Sequence, residues 1–339
     1  MISENFKEAV NCLLIKAGMN NDFNLKPLTG GVNNRLFRID INGRSFLLKS
    51  YFRNPDDPRD RLGTEFSFIG FAWKVGIRCI PCPVASDKEN GIALYEFIEG
   101  RRLTSSEITE KEVFQALNFY QDLNRHKFLA SAKVLPIASE ACFSISEHLQ
   151  CIEKRLQNLK KIDNVTEIDK NALDFICNEL LPTWDKTVNS IKERARESGL
   201  SLNDEIKWQD RCLSPSDFGF HNAILTSDGR LRFIDFEYAG WDDPAKTICD
   251  FFCQPAVPVP LSYYDKFVET VVSKLSEPEI QRQRAELLMP VYKIKWCCIL
   301  LNEFLPSGHR RRGFALKTDN LEEPKREQLR KALSLLSTI

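Results

Sequence analysis

Apolar and polar residues alternate along two consecutive segments near the start of the chain, RLFRIDI at 35–41 and SFLLKSY at 45–51. A period of two predicts β-strands, and the Asn42-Gly43 pair between the segments favours a tight hairpin turn. Another strand is predicted before the Gly-Gly pair that precedes RLFRIDI, and two more in PCPVAS and GIALYEFIEG. The first hundred residues therefore predict a small, mainly antiparallel sheet.

Apolar residues spaced three and four positions apart predict helices along the remainder of the chain. Two helices are expected around the sheet segments, over Glu4–Ala17 and over Asp60–Val75. After Gly100 helices dominate, and they are predicted over 110–126, 144–161, 167–197, 261–274, 279–304 and 321–337. One short hairpin interrupts them, because Ser227-Asp228-Gly229 supplies a turn between the apolar segments NAILT and RLRFID.

This order of elements, with a sheet, a crossing strand near 92–97 and a helical half that carries a hairpin, resembles the protein-kinase-like architecture. We therefore predict an α+β, bilobal protein-kinase-like fold, with a small antiparallel-sheet N-lobe and a larger, mostly helical C-lobe. The boundary is expected at Gly100, with residues 1–99 in the N-terminal lobe and residues 100–339 in the C-terminal lobe.

Composition narrows the class of protein without naming it. The 339 residues hold 47 Lys+Arg and 47 Asp+Glu, so the formal net charge is zero, and nucleic acid or an anionic membrane is not expected as a partner. No run of 18 apolar residues predicts a membrane span, and the first twenty residues make a poor secretory signal. We expect a cytoplasmic protein, and the oligomeric state stays open.

The eleven cysteines lie mostly in apolar runs, such as Cys297-Cys298 in KWCCILL. The one C-x-x-C pair, Cys79 and Cys82, encloses Pro81 and has no second pair or histidine at zinc spacing. Zinc binding at that pair is the alternative, but reduced cysteines packed as small apolar side chains are favoured.

Carboxylates and an amide cluster around the predicted hairpin. Asp217 in SPSDFGFHN precedes Asn222 by five residues, and Asp235 ends the apolar segment RLRFID. A loop of that length can return on itself, so that Asp217 meets a hydroxyl group while Asn222 and Asp235 hold Mg²⁺. Phosphoryl transfer needs this set, since it requires a carboxylate near the attacking hydroxyl, metal ligands and a cation on the phosphates. Each residue taken singly is also compatible with a turn or a cap.

The N-terminal segments offer the cation and a phosphate-covering turn. Lys49 is the lone charge in SFLLKSY, and Glu65 on the next helix could orient its ammonium toward the phosphates, although each could also face solvent. The turn TGGVNNRLF allows close approach of backbone amides to an anion, and the strand LYEFIEG could bind an adenine edge through its backbone. The predicted nucleotide-binding residues are Gly30, Gly31, Asn33, Asn34, Lys49, Glu65, Glu96, Phe97 and Ile98.

Taken together, the segments LTGGVNNRLFRI, YEFIEG, SPSDFGFHN and FIDFEYAGWDDPAKTICDF resemble the aminoglycoside phosphotransferase and choline kinase superfamily of small-molecule kinases. The resemblance runs from about residue 26 to 304. It implies that Asp217 is the catalytic aspartate, that Asn222 and Asp235 are the magnesium ligands, and that ATP or GTP is the phosphoryl donor. Asp243 and Asp250 match positions that are usually structural in such folds.

The chain departs from the superfamily immediately before the catalytic aspartate. The usual His-Gly-Asp is replaced by Pro215-Ser216-Asp217. The missing histidine normally supports the loop, and whether His221 compensates is open. A catalytically inactive kinase-like nucleotide-binding module therefore remains an alternative, whereas a protein kinase is less favoured because no long activation segment follows Asp235.

The acceptor is expected to be a small molecule with a hydroxyl group that binds in the C-terminal half. Residues 245–339 contain 15 Lys+Arg against 11 Asp+Glu, and GHRRRGF at 308–314 is basic. This leans toward a sugar or a related neutral or anionic metabolite and away from a polycation. An aminoglycoside or choline/ethanolamine kinase stays open, as do stacking roles for Trp241, Tyr292 and Trp296, which the core could equally use.

Overall fold

A five-stranded antiparallel sheet forms the first part of the molecule. The computed structural model describes residues 3–20, 22–28, 34–53, 57, 59–305 and 322–339. The sheet has the strand order β1-β2-β3-β5-β4. Its strands are β1 (Asn24–Leu28), β2 (Arg35–Ile41), β3 (Arg44–Ser50), β4 (Pro83–Asp87) and β5 (Ile92–Glu96).

The predicted hairpin between β2 and β3 is confirmed. Asn42 and Gly43 both adopt positive φ angles, of 49° and 72°. Two consecutive residues with positive φ give the turn whose twist matches that of the flanking strands. The resulting register pairs Lys49 with Leu36 on one side and with Ala93 of β5 on the other. Lys49 therefore lies on the central strand of the sheet.

One helix covers each face of this sheet. Helix α1 (Glu4–Lys16) packs Val10 and Leu13 against the face that carries Ile39 and Leu48. Helix α2 (Arg61–Lys74), capped by the Asp60 side chain, packs on the other face. Both helices lie within a residue of their predicted positions. The alternation of β2 and β3 makes this two-sided burial possible, since successive side chains leave a strand on opposite faces.

Helices dominate the chain after Gly100. They are α3 (Glu110–Arg125), α4 (Ala130–Lys133), α5 (Ile145–Leu159), α6 (Glu167–Phe175), α7 (Leu181–Glu197), α8 (Pro244–Cys253), α9 (Tyr264–Val272), α10 (Pro278–Leu301) and α11 (Glu322–Leu336). A π-helical turn, Ile176–Leu180, joins α6 to α7, so the predicted helix over 167–197 is continuous but widened. Pro182 in the next turn lacks an N–H donor, which accounts for the irregularity. No helix in the described part of the chain has both the length and the apolar character needed to cross a bilayer.

Two short strand pairs lie among these helices. The predicted hairpin forms from β7 (Ala223–Leu225) and β8 (Leu231–Phe233), and a second pair joins β6 (Cys212–Ser214) to β9 (Gly240–Asp242). The hairpin is tied to the end of the first sheet by Arg101, which exchanges backbone hydrogen bonds of 3.0 and 2.8 Å with Leu225. The segment 215–222, which contains Asp217 and Asn222, therefore lies between β6 and β7.

Asp235 differs in one respect from its predicted place. Strand β8 ends at Phe233, so Asp235 lies two residues beyond the strand, with a φ of 67°. Ile234 donates its N–H to the Asn222 carbonyl at 2.9 Å, one residue beyond the last pair of the β7–β8 ladder, and the backbone leaves the extended conformation at the next residue. That hydrogen bond places Asn222 and Asp235 at the same end of the hairpin.

Candidate active site

Lys49 lies between two carboxylates from distant parts of the chain. Its Nζ is 2.7 Å from Oε2 of Glu65 and 2.6 Å from Oδ1 of Asp235. The Lys49 and Glu65 side chains are almost fully buried, whereas 41% of the Asp235 side chain is exposed. Burial opposes the charge on Lys49, but Asp235 and Glu65 outweigh it and hold the pKa of Lys49 well above its ordinary value.

Glu65 is held at both carboxylate oxygens. Oε2 accepts hydrogen bonds from Lys49 Nζ and, at 2.6 Å, from the Tyr51 hydroxyl, while Oε1 accepts the backbone N–H of Phe236 at 3.1 Å. Tyr51 has one proton, which it gives to Glu65, so the Tyr95 hydroxyl at 2.8 Å donates to Tyr51. Helix α2 is thereby fixed to the segment that follows β8.

The carboxylates around Lys49 outnumber it. Crowding by protein atoms raises the pKa of Asp235 to about 6, Lys49 opposes that rise, and the charges of Glu237 and Glu65 add to it. Glu237 is itself buried and lies 4.0 Å from Arg61. Glu65, Asp235 and Glu237 therefore carry more negative charge than Lys49 alone neutralises, and a cation beside Asp235 would relieve the excess.

Asp217 is anchored within its own loop. Its Oδ1 lies 3.1 Å from His221 Nε2, and the Asn222 side-chain N–H₂ donates to Oδ2 at 3.1 Å and to the Asp217 carbonyl at 3.0 Å. Burial alone would raise the pKa of Asp217, but His221, Asn222 and Lys295 together lower it. Since 32% of the side chain remains exposed, the carboxylate is charged and accessible.

Asn222 and Asp235 fit a magnesium ion. Because the Asn222 amide nitrogen points to Asp217, its oxygen is the atom left for a cation, and Asp235 supplies a carboxylate oxygen from the same end of the hairpin. Among the described residues, no group of three or more His, Cys, Asp and Glu side chains is arranged to hold a metal. A pair of oxygen ligands that relies on phosphate oxygens is typical of Mg²⁺ sites.

Of the residues predicted to bind phosphate in the turn TGGVNNRLF, the structure describes Asn34. Gly30, Gly31 and Asn33 lie outside the described residues. Asn34 is buried, and its amide donates to Glu237 Oε2 at 2.8 Å and accepts the Phe52 N–H at 3.2 Å. The prediction that Asn34 binds a nucleotide stays a prediction, and both ends of its amide are already hydrogen-bonded within the protein.

The strand predicted to face an adenine ring is present as β5 and the residues after it. Glu96 Oε2 accepts hydrogen bonds from the Cys82 N–H at 3.0 Å and from Arg232 at 2.8 Å. The Phe97 N–H lies 3.4 Å from the Ser45 carbonyl, and Ile98 is half-buried. Nucleotide contacts at these three residues remain predictions.

The Cys79–Cys82 pair shows no sign of a thiolate site. Burial raises the pKa of Cys79 to about 11 and also raises the pKa of Cys82. Metal binding requires the thiolate, which these environments disfavour. All eleven cysteines are free.

Sequence reasoning missed Tyr51 and Lys246. Tyr51 stands two residues after Lys49, one position beyond the end of β3, so a period of two continued past the strand could have identified it. Lys246 and Asp250 are four residues apart on one face of α8, and Asp242, four residues before Lys246, ends β9 just ahead of that helix. Asp243 and Asp250, by contrast, are buried and ion-paired, to Arg284 at 2.5 Å and to Lys295 at 2.8 Å.

Three solved structures share the fold across nearly their whole length. An AMP-bound spectinomycin phosphotransferase, APH(9)-Ia, is 13% identical, with 96% of this chain and 98% of that chain covered and a TM-score of 0.62. A choline kinase from Cryptosporidium parvum Iowa II is 13% identical, with coverage of 99% and 97% and a TM-score of 0.58. APH(2")-IIa in a ternary complex with streptomycin and ATP is 19% identical, with coverage of 100% and 97% and a TM-score of 0.56.

These structures establish the protein-kinase-like fold of small-molecule kinases. No curated protein sequence matches the chain. The sequence model of the choline/ethanolamine kinase family, however, matches residues 25–281, which is well over half of the molecule. The chain therefore belongs to the choline/ethanolamine kinase family and is a phosphotransferase that acts on an alcohol group of a small molecule.

Proposed function

We propose that this kinase transfers the γ-phosphoryl group of ATP or GTP, with Mg²⁺, to a hydroxyl group of a neutral or anionic small molecule, such as a sugar or a related metabolite. The observation that supports the site is the convergence of Lys49, Glu65 and Asp235 within hydrogen-bond distance, although they are separated by up to 186 residues. The ATP, ADP and AMP complexes of the structural relatives support the use of a nucleotide.

In this proposal Lys49 holds the phosphates and Asp217 receives the acceptor. Glu65 keeps the Lys49 ammonium beside Asp235, where a phosphate oxygen can replace Asp235 as its partner. Asp217 orients the hydroxyl and accepts its proton as the oxygen attacks the γ-phosphorus and the bond to the leaving nucleoside diphosphate breaks. Bound by Asn222 and Asp235, Mg²⁺ would neutralise charge on the phosphates.

The charge around Asp217 supports an acceptor that is not a cation. Lys295, whose ammonium is hydrogen-bonded to Asp250, lowers the pKa of both Asp217 and Glu140, so its positive charge is felt at both carboxylates. Glu140 is ion-paired to Arg155, and Asp250 to Lys295. Carboxylates that are already paired with buried cations offer little attraction to a quaternary ammonium.

Choline or ethanolamine is the second candidate acceptor, because the family model is that of choline/ethanolamine kinases. Aromatic residues lie close enough to contribute to a cation site, since the His221 and Trp296 rings are 6.1 Å apart. Trp296 Nε1, however, donates to Asp250 at 3.1 Å, which holds the indole against the buried ion pair. The basic segment 308–314 lies outside the described residues and does not enter this argument.

The test is a phosphorylation assay with an acceptor panel. Purified protein is incubated with MgCl₂, with ATP or GTP, and with neutral sugars, choline, ethanolamine and aminoglycosides, and products are identified by mass. Asp217→Asn and Asp235→Asn should abolish transfer while the fold persists. Asp228→Asn is the matched control, since Asp228 lies in the exposed turn of the same hairpin.

The products of the assay distinguish the two candidate acceptors and test the roles of Asp217 and Asp235. A phosphorylated sugar with no phosphocholine supports the proposal, and phosphocholine as the sole product establishes the second candidate. Nucleotide binding without transfer to any acceptor would instead indicate an inactive kinase-like module. Full activity of both aspartate variants would overturn the residue roles.

A further inference from the structure

The residue immediately before Asp217 has a backbone conformation that its side chain disfavours. Ser216 has a φ of 65°, in the left-handed region that glycine adopts freely and other residues adopt at a cost. Ser214 and Ala223, which flank the loop 215–222, are fully buried, and Ser216 itself is 7% exposed. Because this conformation is costly for serine, contacts with other residues must stabilise it. The backbone of Ser216 in turn determines the direction of the Asp217 side chain that follows.

Lys246 of helix α8 reaches Ser216 from the side. Its Nζ donates to Ser216 Oγ at 2.9 Å and lies 3.4 Å from the Ser216 carbonyl. Ser216 Oγ in turn donates to the Ser139 carbonyl at 3.2 Å, and the Ser216 N–H donates to Ser214 Oγ at 2.9 Å. The backbone and the side chain of Ser216 are therefore restrained at every polar atom.

Lys246 is itself fixed rigidly. It is 1% exposed and lies 2.7 Å from Asp242 Oδ2 and 3.2 Å from Asp250 Oδ2. Burial alone would lower the pKa of Lys246, but the two aspartates raise it, so the ammonium stays charged. Asp242 ends β9, the strand paired with β6 directly before the loop, so Lys246 connects Ser216 to that strand pair.

We propose that Lys246 is a positioning residue for phosphoryl transfer: by binding Ser216 it holds the left-handed backbone that aims Asp217 at the acceptor hydroxyl. The lysine supplies from helix α8 a support that the sequence Pro215-Ser216-Asp217 does not supply from within the loop. This inference rests on the proposed function, since it takes Asp217 as the residue that meets the acceptor.

The first test compares two substitutions of Ser216 that lose the same hydroxyl. S216A keeps a Cβ and must still bear the cost of positive φ, whereas S216G adopts that conformation unaided. We expect S216A to lower kcat about 5- to 30-fold, which is the population change that a left-handed alanine implies, and S216G to lower it clearly less. The KM for the nucleotide should stay the same in both, because Lys49 and Glu65 are untouched.

The second test asks whether the effect of Lys246 passes through Ser216. K246M should lower kcat in the wild-type background, and the loss should be much smaller in the S216G background. K266M, which removes an exposed lysine that pairs with Glu110, is the matched control and should leave kcat unchanged. A lysine with a purely structural role would cost the same in both backgrounds, and that result would overturn the proposal.

Two precautions separate the outcomes. K246M leaves Asp242 buried without its cation; if that variant does not fold, the comparison of S216A with S216G decides alone, and equal losses in the two overturn the proposal. Hydrogen exchange of residues 212–224 gives a readout that does not need turnover: exchange should be faster in S216A than in S216G. If the wild type transfers no phosphoryl group the proposed function fails, while this exchange comparison still decides whether the loop is held as inferred.

Discussion

Glu65 Oε1 accepts the backbone N–H of Phe236 at 3.1 Å, so a residue of helix α2 holds the chain one position after the candidate magnesium ligand Asp235. The same carboxylate binds Lys49 and Tyr51 through its other oxygen. One buried side chain thus connects the sheet, helix α2 and the segment that follows the β7–β8 hairpin. The position of Lys49 relative to Asp235 depends on this connection.

Replacing Glu65 should therefore disturb catalysis without removing a group that touches substrate. E65Q keeps the size of the side chain but loses the charge that orients Lys49. We expect activity to fall about 10- to 100-fold, as is typical when a residue that hydrogen-bonds to the groups around a metal site is replaced. Steady-state kinetics at saturating Mg²⁺ measure the effect. E107Q is the control, since Glu107 pairs with Arg101 at the surface; an unchanged rate in E65Q would contradict the role.

The two tyrosines beside Glu65 should differ in their contribution to stability. The Tyr51 hydroxyl donates to a carboxylate, and such hydrogen bonds contribute about 1.5–3 kcal/mol, whereas the Tyr95 hydroxyl donates to a neutral oxygen, at about 0.5–1.5 kcal/mol. Y51F should thus lower the free energy of unfolding more than Y95F does. Denaturant titration of both variants measures the difference. If Y95F were the less stable variant, the assigned direction of donation, from Tyr95 to Tyr51 and from Tyr51 to Glu65, would be wrong.

The pKa of Asp235 predicts how activity depends on pH. With the pKa raised to about 6, Asp235 gains a proton as the pH falls through 6 and no longer serves as a charged ligand. We expect kcat/KM, which reports the free enzyme, to decline below pH 6 at limiting MgCl₂. Excess Mg²⁺ should shift the decline to lower pH because the ion competes with the proton. A profile insensitive to Mg²⁺ would assign the titration to another group.

Stability should depend on Asp235 in the opposite sense. A carboxylate whose folded pKa lies above its unfolded value of 3.8 stabilises the fold when protonated, and that contribution disappears as the pH rises from about 4 to about 6. D235N mimics the protonated form at all pH values. In EDTA at pH 7 it should be at least as stable as the wild type, although it is inactive, and the two should converge near pH 4. A large loss of stability at pH 7 would contradict this assignment.

Asp243 should behave as the converse case. Burial raises its pKa, but Arg284 at 2.5 Å and His148 at 3.1 Å lower it to about 2. Its contribution is present above pH 3.8 and is lost as the pH falls toward 2. D243N leaves Arg284 buried without its ion pair and should cost about 3–5 kcal/mol of unfolding free energy at pH 7. Thermal unfolding measures the loss, and a stable D243N would show that this network is not structural.

The local pattern of the sequence predicted most of the elements. Positive φ at Asn42 and Gly43, the cap at Asp60 and the hairpin turn at 227–229 follow from residues within four positions of one another. The order of strands and helices then limited the fold to a bilobal kinase type, and the motifs around residues 217–235 indicated phosphoryl transfer. The lobe boundary at Gly100 and the nucleotide contacts stay predictions.

Tertiary structure alone decided which candidate charges act together. The sequence left Lys49 equally compatible with facing solvent and with facing the phosphates of a nucleotide, and the contacts that place it run to residues 16 and 186 positions away. It gave no reason to connect Lys246 with Ser216, or to expect Asp235 beyond the strand in a left-handed conformation. Periodicity and turn chemistry reflect neighbours within a few residues, whereas ion pairs and hydrogen bonds over such separations exist only once the packed core has brought their partners together.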